Sequence, residues 1–493
     1  MSPLADNGAP IRPGGPTADE NGRPTHRKSG LPRNPMPEQE PKVRARNFEE
    51  VGFGYTPEQA KAEAERCIQC PNPKCEQGCP VSVRIRDFIG GIINDDMEYA
   101  VAALKDRTAL PAVCGRVCPQ ETQCEEQCIL AKMDEPVAIG RLERYVADYD
   151  RNRPAEERCC STAADIEQSG HRVAVVGAGP AGLACARDLA MLGHGVTIFE
   201  SLHTAGGVLA YGIPEFRLPK AILHAEVEAL EALGVEFKFN EVIGKIATAE
   251  ELITEDGFTT VFIASGAGLP VFLGVPGENL NGVYSANEFL TRVNLMRAYD
   301  FPNQDTPIWR GNKVIVIGGG NTAMDASRTA LRLGAQEVYL TYRRTEAEMP
   351  ARLEEIHHAK DEGVMFRELV APLEMIGDMG QVVGMRVAQM ELGEPDASGR
   401  RRPVPVQGEG AEYVIECDTV IVAVGTRSHP LTREVAQVDL TERGNIKVNE
   451  FGQTSNPAIF AGGDSVTGGA TVILAMGAGK DAAVGIDRYI RSL

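Results

Sequence analysis

Cysteines are concentrated in one short part of the chain, where their spacing could support metal ligation. Eight of the twelve cysteines lie between residues 67 and 128, in two sets of four. The sets are Cys67, Cys70, Cys75 and Cys79, then Cys114, Cys118, Cys124 and Cys128. Thiolates suit zinc or iron–sulfur clusters, and zinc sites usually pair two short Cys-x-x-Cys-like units across a longer loop. A compact run that ends in Cys79-Pro80 favours iron–sulfur ligation, in which the last cysteine binds a neighbouring cluster. Structural zinc is the alternative.

A glycine-rich turn after the apolar run Val173–Val176 could bind the phosphates of a dinucleotide. The residues predicted to form it are Gly177, Gly179, Pro180, Ala181 and Gly182. Its first glycine permits a tight turn, its second lets the backbone approach a pyrophosphate, and its third allows close packing of helix on strand. Glu200 ends the next strand, where a carboxylate can accept a ribose hydroxyl. These features together predict a dinucleotide site.

A second turn of the same kind begins about 140 residues later, at Gly318. Its predicted binding residues are Gly318, Gly320, Asn321, Thr322 and Ala323. Ala323 replaces the third glycine, which this turn tolerates. The strand that follows ends in Arg343 and Arg344, without the acid of the first unit. Because arginine binds a 2′-phosphate in a bidentate manner, this pattern predicts NADP; two solvated arginines are the alternative.

The difference between the two units assigns the cofactors. An acid suited to a free ribose predicts FAD in the first unit, and the arginines predict NADPH in the second. The C-terminal segment supports this assignment, because Gly463 and Asp464 stand between a strand and a helix, as in the terminal flavin motif of flavoproteins with two dinucleotide domains. Cys185 and Cys417 have no neighbouring cysteine and are predicted to be core thiols. We assign no catalytic acid or base.

These elements predict an α/β fold with two Rossmann-like domains in a glutathione-reductase-like arrangement, preceded by an α-helical iron–sulfur domain. Thr56 is a candidate N-cap, with Pro57 at the first helical position. The predicted divisions are a disordered tail over 1–45, a helical domain over 46–158, a linker over 159–170, an FAD domain over 171–305 and 426–493, and an inserted NADPH domain over 306–425.

Composition excludes several classes of function. The formal charge of −19 argues against nucleic acid as a partner, because phosphate binding needs a basic surface. We find no apolar run of about eighteen residues, so we expect no membrane span. The first residues lack the apolar region of a secretory signal, so we expect a cytoplasmic protein. The Pro-, Gly- and charge-rich composition before residue 46 predicts the disordered tail.

The chain resembles the family of NADPH-dependent glutamate synthase small subunits over roughly residues 46–493. This family includes the large subunit of NADH-dependent ferredoxin:NADP oxidoreductase and the N-terminal half of dihydropyrimidine dehydrogenase. The resemblance rests on "CIQCPNPKCEQGCP", "CGRVCPQETQCEEQC", "GGVLAYGIPEFRLPK", "GGGNTAMD" and "YRRTEAEMPA". The third of these contains Gly206 and Gly207, which we add to the predicted cofactor-binding residues.

The resemblance implies a ligand set for two 4Fe–4S clusters. The first cluster would be held by Cys67, Cys70, Cys75 and Cys128. The second would be held by Cys79, Cys118, Cys124 and the carboxylate of Glu143. Cys114 would then bind neither cluster. An ordinary exposed helix position is the alternative for Glu143.

The resemblance also implies a function. The chain would oxidise NADPH and pass electrons through FAD and two 4Fe–4S clusters to a large FMN subunit, which makes glutamate from glutamine and 2-oxoglutarate. Because the chain begins with Met1 and Ser2 and has no length for a synthase barrel, we expect the partner to perform that reaction. The alternative is an electron-bifurcating subunit that pairs with a small flavoprotein and ferredoxin. A non-enzymatic NADPH sensor with structural zinc is a third hypothesis.

Overall fold

The structure is a computed structural model that describes residues 31–133, 135–154, 158, 166–395 and 399–493. Most of the predicted tail, and much of the predicted linker with Cys159 and Cys160, lie outside the described residues. The chain forms two units: Met1–Pro37 with Phe53–Cys160, and Glu38–Gly52 with Ser161–Leu493. We call them the helical unit and the nucleotide unit.

The helices before residue 152 are short, and α2 to α7 belong to the helical unit. In chain order they are α1 (Pro41–Arg44), α2 (Pro57–Ala64), α3 (Lys74–Gly78), α4 (Ile85–Ile93), α5 (Met97–Lys105), α6 (Pro111–Val117) and α7 (Ile139–Arg151). The predicted cap of α2 is confirmed, since the Thr56 hydroxyl accepts from the Gln59 backbone N–H at 3.3 Å. Helix α6 packs closely on α7, because a Cβ at Gly115 would lie 2.6 Å from the backbone nitrogen of Arg144.

Residues 31–45 differ from the predicted disordered tail. In the helical unit, Arg33 forms an ion pair with Glu125 at 2.7 Å, and the backbone N–H of Asn34 donates to Glu63 at 2.8 Å. Residues Glu38–Gly52 belong to the nucleotide unit and include α1. Composition did not predict that this segment is ordered, because a few charged and polar side chains, rather than apolar ones, hold it in place.

The nucleotide unit contains two parallel sheets with helices between their strands. The strands, in chain order, are β1 (Arg172–Val176), β2 (Gly195–Glu200), β3 (Glu236–Phe239), β4 (Thr260–Ile263), β5 (Leu269–Pro270), β6 (Val283–Ser285), β7 (Lys313–Ile317), β8 (Glu337–Tyr342), β9 (Met365–Glu368), β10 (Val370–Asp378), β11 (Gln381–Pro395), β12 (Arg401–Pro405), β13 (Glu412–Glu416), β14 (Thr419–Val422), β15 (Thr426–Arg427) and β16 (Ile459–Ala461). The helices are α8 (Pro180–Met191), α9 (Val208–Tyr211), α10 (Lys220–Ala232), α11 (Ala249–Thr254), α12 (Ala286–Asn294), α13 (Asn321–Arg332), α14 (Leu353–Glu362), α15 (Thr432–Val435), α16 (Asp464–Thr467) and α17 (Val472–Ile490).

The first sheet has the order β16-β4-β1-β2-β3, and every neighbouring pair is parallel. Strands β1, β4 and β16 are almost entirely buried, as expected for a parallel sheet covered on both faces. The sheet therefore joins residues near position 172 to residues near position 460.

The second sheet has the order β6-β14-β7-β8-β9 and is also parallel. Strands β10 to β13 form an antiparallel sheet between β9 and β14 in the sequence. Two Rossmann-like sheets confirm the predicted fold class. Strand β6 lies in the second sheet, although its residues fall within the range predicted for the first part of the FAD domain. No helix in the described part of the chain is long and apolar enough to cross a membrane.

Candidate functional site

The turn between β1 and α8 has the geometry of a dinucleotide loop. Gly177 adopts a φ of +109°, and a Cβ there would lie 2.5 Å from the carbonyl oxygen of Ala264. A Cβ at Gly182 would lie 1.9 Å from the carbonyl oxygen of Gly177. At Gly179, in contrast, a Cβ would meet nothing within 4 Å. Side chains at Gly177 and Gly182 would therefore clash with the protein backbone, whereas the space beside Gly179 is free, as the approach of a pyrophosphate requires.

Glu200 lies beside this loop at the end of β2 and is 5% exposed. Its carboxylate accepts hydrogen bonds from the backbone N–H groups of Ala178 and Leu202, both at 2.8 Å. The Ser201 hydroxyl donates to it at 3.1 Å. These bonds fix the carboxylate at the carboxyl end of the strand. That is where a dinucleotide's ribose is recognised in this kind of turn.

The other predicted flavin residues lie close to the same loop. The backbone N–H of Gly206 donates to the Ala178 carbonyl at 2.8 Å, and a Cβ at Gly207 would lie 3.0 Å from the Cα of Gly179. Pro180 and Ala181 form the buried first turn of α8. From the other end of the sequence, a Cβ at Gly463 would lie 2.9 Å from the Ala181 side chain. Residues distant in sequence therefore converge on one turn.

Asp464 follows Gly463 and opens α16. Burial raises the pKa of its carboxyl group, which accepts a hydrogen bond from the Ala470 backbone N–H at 3.1 Å. Tyr211, which the sequence did not single out, lies near it. Burial, followed by the nearby carboxylates of Asp464 and Glu200, raises the pKa of the Tyr211 phenol to about 12. The sequence feature that could have identified Tyr211 is its position four residues after Gly207, in "GGVLAYGIP".

The second glycine turn lies between β7 and α13. Gly318 has a φ of +149°, and a Cβ there would lie 2.3 Å from the Ala423 carbonyl oxygen. At Gly320 the nearest atom to a Cβ, in Pro350, is 4.0 Å away, so this position is open. Asn321, Thr322 and the fully buried Ala323 form the first turn of α13. The Asn321 side-chain oxygen accepts from the Arg352 backbone N–H at 3.0 Å.

The two arginines after β8 have different environments. Arg343 is exposed, and among the described residues its guanidinium has no hydrogen-bond or ion-pair partner. Arg344 is 5% exposed, and its Nε donates to the carbonyl oxygen of Arg401 on β12 at 2.7 Å. Arg343 is therefore available to bind a phosphate, whereas Arg344 also ties the strand end to the antiparallel sheet.

In the helical unit, the first implied ligand set shares one environment. Burial raises the pKa of Cys67 and of Cys75 to about 12. Burial also raises the pKa of Cys70. In all three cases the charge of Cys128 adds to the shift. The structure thus brings Cys128 to the thiols near residue 70.

The second implied set also converges. Burial raises the pKa of Cys79 to about 11, and the Glu143 carboxylate adds to the shift. A side-chain hydrogen bond with Cys114, followed by burial, raises the pKa of Cys118. Burial raises the pKa of Cys124, to which Glu143 again contributes. Cys114 is therefore also close to this group, and the Thr108 hydroxyl donates to its sulfur at 3.9 Å.

Glu143 lies on α7 and is 8% exposed, which differs from an ordinary exposed helix position. Burial alone raises the pKa of its carboxyl group to about 8. Among the described residues, no hydrogen-bond donor or cation pairs with this carboxylate. A buried carboxylate without a partner is unfavourable unless it binds a cation, and here it faces three thiols. This donor set fits a metal centre.

The spacing of the thiols bears on the identity of that centre. In a tetrahedral zinc site with Zn–S bonds of about 2.3 Å, the sulfur atoms lie about 3.8 Å apart. No three thiols of the described chain lie within 4.8 Å of one another. No three described thiols therefore stand at the mutual distances that a tetrahedral zinc site requires. Cys185 and Cys417 lie elsewhere, buried in the nucleotide unit, and burial raises the pKa of both thiols.

Two family profiles together cover most of the chain. Residues 44–155 match the family described as dihydropyrimidine dehydrogenase domain II, 4Fe-4S cluster. Residues 171–479 match the family described as pyridine nucleotide-disulphide oxidoreductase. Residues 156–170 separate the two matches, and the second match begins one residue before β1.

Individual relatives agree with these profiles. The chain is 42% identical to the NADP(+)-dependent formate dehydrogenase subunit beta of Moorella thermoacetica, over 85% of this chain and 60% of that protein. It is 38% identical to the glutamate synthase (NADPH) small chain of Escherichia coli (strain K12), over 93% of this chain and 98% of that protein. Among solved structures, Mycobacterium tuberculosis FprA in complex with NADPH has a TM-score of 0.54 and 21% identity, and covers 65% of this chain and 85% of that one. At this identity the last similarity supports the fold alone.

Proposed function

Since this chain belongs to the family of NADPH-dependent glutamate synthase small chains and is an NADPH-dependent oxidoreductase, we propose that it supplies electrons from NADPH to a partner subunit. One observation carries the proposal. A single chain joins two dinucleotide sheets to a helical unit in which buried thiols from the two cysteine sets lie close together. A flavin and such clusters together convert a hydride into single electrons.

FAD, NADPH and 4Fe–4S clusters are the cofactors of this family of chains. We assign FAD to the loop at Gly177, where the fixed carboxylate of Glu200 would accept a ribose hydroxyl and the open side of Gly179 would admit the pyrophosphate. We assign NADPH to the loop at Gly318, where the exposed guanidinium of Arg343 would bind the 2′-phosphate. These residues bind and orient; hydride transfer needs no proton from a side chain.

We propose that the thiols of Cys67, Cys70, Cys75 and Cys128 hold one 4Fe–4S cluster. Cys79, Cys118, Cys124 and Glu143 would hold the other. The mutual effects of these groups on their pKa values support the two sets. The buried carboxylate of Glu143, which lacks a cation among the described residues, supports its role as the fourth ligand.

The acceptor we propose is a large FMN subunit that makes glutamate from glutamine and 2-oxoglutarate. The match over 98% of the E. coli small chain supports this choice. A second candidate follows from the higher identity to a formate dehydrogenase subunit beta. In that case the chain would exchange electrons between NADP(H) and a different partner, such as a small flavoprotein or ferredoxin. Both candidates are hetero-oligomers.

The experiment is anaerobic purification of the chain with its neighbouring gene products. Iron, zinc and flavin analysis, flavin bleaching by NADPH, and NADPH-dependent reduction of ferricyanide test the core proposal. A flavoprotein rich in iron that NADPH bleaches supports it; zinc without iron, or a flavin that NADPH does not reduce, refutes it. Glutamate formation with an FMN partner supports the first acceptor, and ferredoxin reduction without glutamate formation supports the second.

A further inference from the structure

The segment Glu38–Gly52, which we call the strap, is part of the nucleotide unit although it lies in sequence between the two segments of the helical unit. Its two ends pair through the bridge between Glu38 and Gly52 and the Gln39-to-Val51 backbone hydrogen bond of 2.9 Å. The Val51 backbone N–H then donates to the Phe216 carbonyl at 3.0 Å. The strap is therefore a closed loop attached to the segment between α9 and α10.

Arg44 anchors the strap to helix α14. Its side chain is 2% exposed, and its Nε donates to Glu362 at 3.0 Å. Its Nη1 donates to Glu38 at 2.8 Å, and the same Glu38 oxygen lies 3.1 Å from Nε2 of His358. Removing this guanidinium would leave buried carboxylates with fewer partners, which is the costly way to break a buried ion pair.

The network continues from Glu362 through α13. Arg328 donates to Glu362 at 2.7 and 2.9 Å, and Arg332 donates to it at 2.6 and 3.0 Å. Arg328 also donates to Glu355. The guanidinium of Arg332 lies 3.7 Å from the ring centroid of Phe216. The carboxylate of Glu362 is thus shared by three arginines from the strap and α13.

Arg217, which lies between α9 and α10, extends the network to the segment that follows the first glycine turn and β2. Its Nη1 donates to both oxygens of Asp325, at 2.7 and 2.8 Å, and its Nε lies 3.1 Å from Glu355. Asp325 is on α13, which begins at the second glycine turn. Arg217 follows Gly207 by ten residues, and Gly207 packs against the first glycine turn. The buried pair therefore connects segments that lead directly to the two cofactor loops.

Aromatic rings from the strap, from the segment before α10 and from the segment after α12 pack beside this network. Phe48 of the strap stacks on Tyr299 with ring centroids 4.3 Å apart, and it lies 6.2 Å from Phe216. Tyr299 follows α12, which packs beside the second sheet, whereas Phe216 precedes α10. The strap thus contacts the segments that carry Phe216 and Tyr299 through an aromatic side chain, and α14 through a charged one. A packed and charged junction of this kind has discrete arrangements rather than a continuous range.

We propose that Arg44 is a positioning residue for hydride transfer: the strap holds the NADPH loop and the FAD loop at the separation that the transfer needs. The proposal rests on the proposed function. Hydride transfer requires donor and acceptor about 3–3.5 Å apart, and a misplacement of about 1 Å can slow a reaction about 100-fold. Arg44 touches neither loop, so its effect passes through Glu362, Arg328, Glu355 and Arg217.

The test compares Arg44→Met with Arg46→Met, a matched control at an exposed position of the same strap. Anaerobic stopped-flow absorbance measures flavin reduction at saturating NADPH, and calorimetry measures NADP+ affinity. We expect Arg44→Met to slow flavin reduction about 10- to 100-fold with little change in NADP+ affinity. Arg46→Met should match the wild type. Arg44→Lys, which keeps the charge, should recover part of the rate.

Three controls make the outcome decisive. Reduction by dithionite, together with iron and flavin content, should be the same in every variant, and hydrogen exchange of residues 38–52 should rise only in Arg44→Met. If Arg44→Met does not fold, Glu38→Gln, which weakens the contacts of Glu38 with Arg44 and His358, takes its place with the same expectation. A wild-type rate in Arg44→Met refutes the inference. Failure of NADPH to reduce the wild-type flavin refutes the proposed function instead.

Discussion

The two arginines after β8 give a prediction that separates their roles. Arg343 is exposed and free of protein partners within the described chain, whereas Arg344 is buried and bonded to the Arg401 carbonyl. A hydrogen bond to a charged group contributes about 1.5–3 kcal/mol. For an exposed side chain the lower value is appropriate, and about 1.4 kcal/mol corresponds to a factor of ten. We therefore expect Arg343→Ala to lower kcat/KM for NADPH about tenfold and to leave kcat/KM for NADH unchanged.

Arg344→Ala should behave differently. It removes a buried side chain and leaves the Arg401 carbonyl without its 2.7 Å partner, a loss of about 1–3 kcal/mol in stability. A lower Tm should accompany any change in its kinetics. Arg310→Ala is the matched control, because this exposed arginine precedes β7 and lies at the opposite end of the strand from the glycine turn.

The assay is ferricyanide reduction with NADPH and with NADH for all three variants, with Tm measured in parallel. The ratio of the two kcat/KM values reports 2′-phosphate recognition, because the coenzymes differ only in that group. An unchanged ratio in Arg343→Ala, combined with a collapsed ratio and normal Tm in Arg344→Ala, would show that our assignment of the two side chains is wrong.

Three further predictions concern the clusters, the flavin loop and acid stability. Glu143→Ala should change the EPR spectrum or potential of one cluster while Cys114→Ser keeps both, and two unchanged EPR signals in Glu143→Ala would defeat the ligand assignment. Gly182→Ala, whose Cβ would lie 1.9 Å from a backbone oxygen, should lower Tm and flavin content. Gly179→Ala meets no protein atom within 4 Å and should lower flavin content alone; equal losses of Tm would contradict this. Burial raises the pKa of Glu362, but its ion pairs with Arg328 and Arg332 outweigh burial and hold it at about 2. The resulting stabilisation, about 3 kcal/mol, is present above pH 4.5 and is lost as the pH falls toward 2. Tm measured against pH should therefore fall less steeply in Glu362→Gln than in the wild type, and identical slopes would contradict the assignment.

The two glycine turns and their sheets were predictable because each signal is local. A strand, a turn that needs glycine, and a helix lie within about 30 residues of sequence, and the structure places Gly177 and Gly318 at positive φ. The different environments of Arg343 and Arg344 were not predictable in this way, because both residues lie in the bend after β8, where the alternation of side chains along a strand no longer applies. Sequence alone does not say which of the two points inward.

The edge of the second sheet was harder to predict. Strand β6 has three residues, too few for a periodic pattern, and its membership depends on pairing with β14 more than 130 residues later. The convergence of Cys128 with Cys67 is non-local in the same way. Here the resemblance to a family implied a grouping that the spacing of the cysteines left open.

The strap shows why composition failed before residue 46. Disorder is expected where a segment cannot bury enough apolar surface to offset its ordering entropy, but this segment is held by Arg44, one buried charge shared with Glu362. The nucleotide unit thus includes Glu38–Gly52, a segment that lies in sequence between the two segments of the helical unit. A truncated chain that starts at residue 46, where composition draws the boundary, would lose Arg44 and with it the buried ion pair to Glu362.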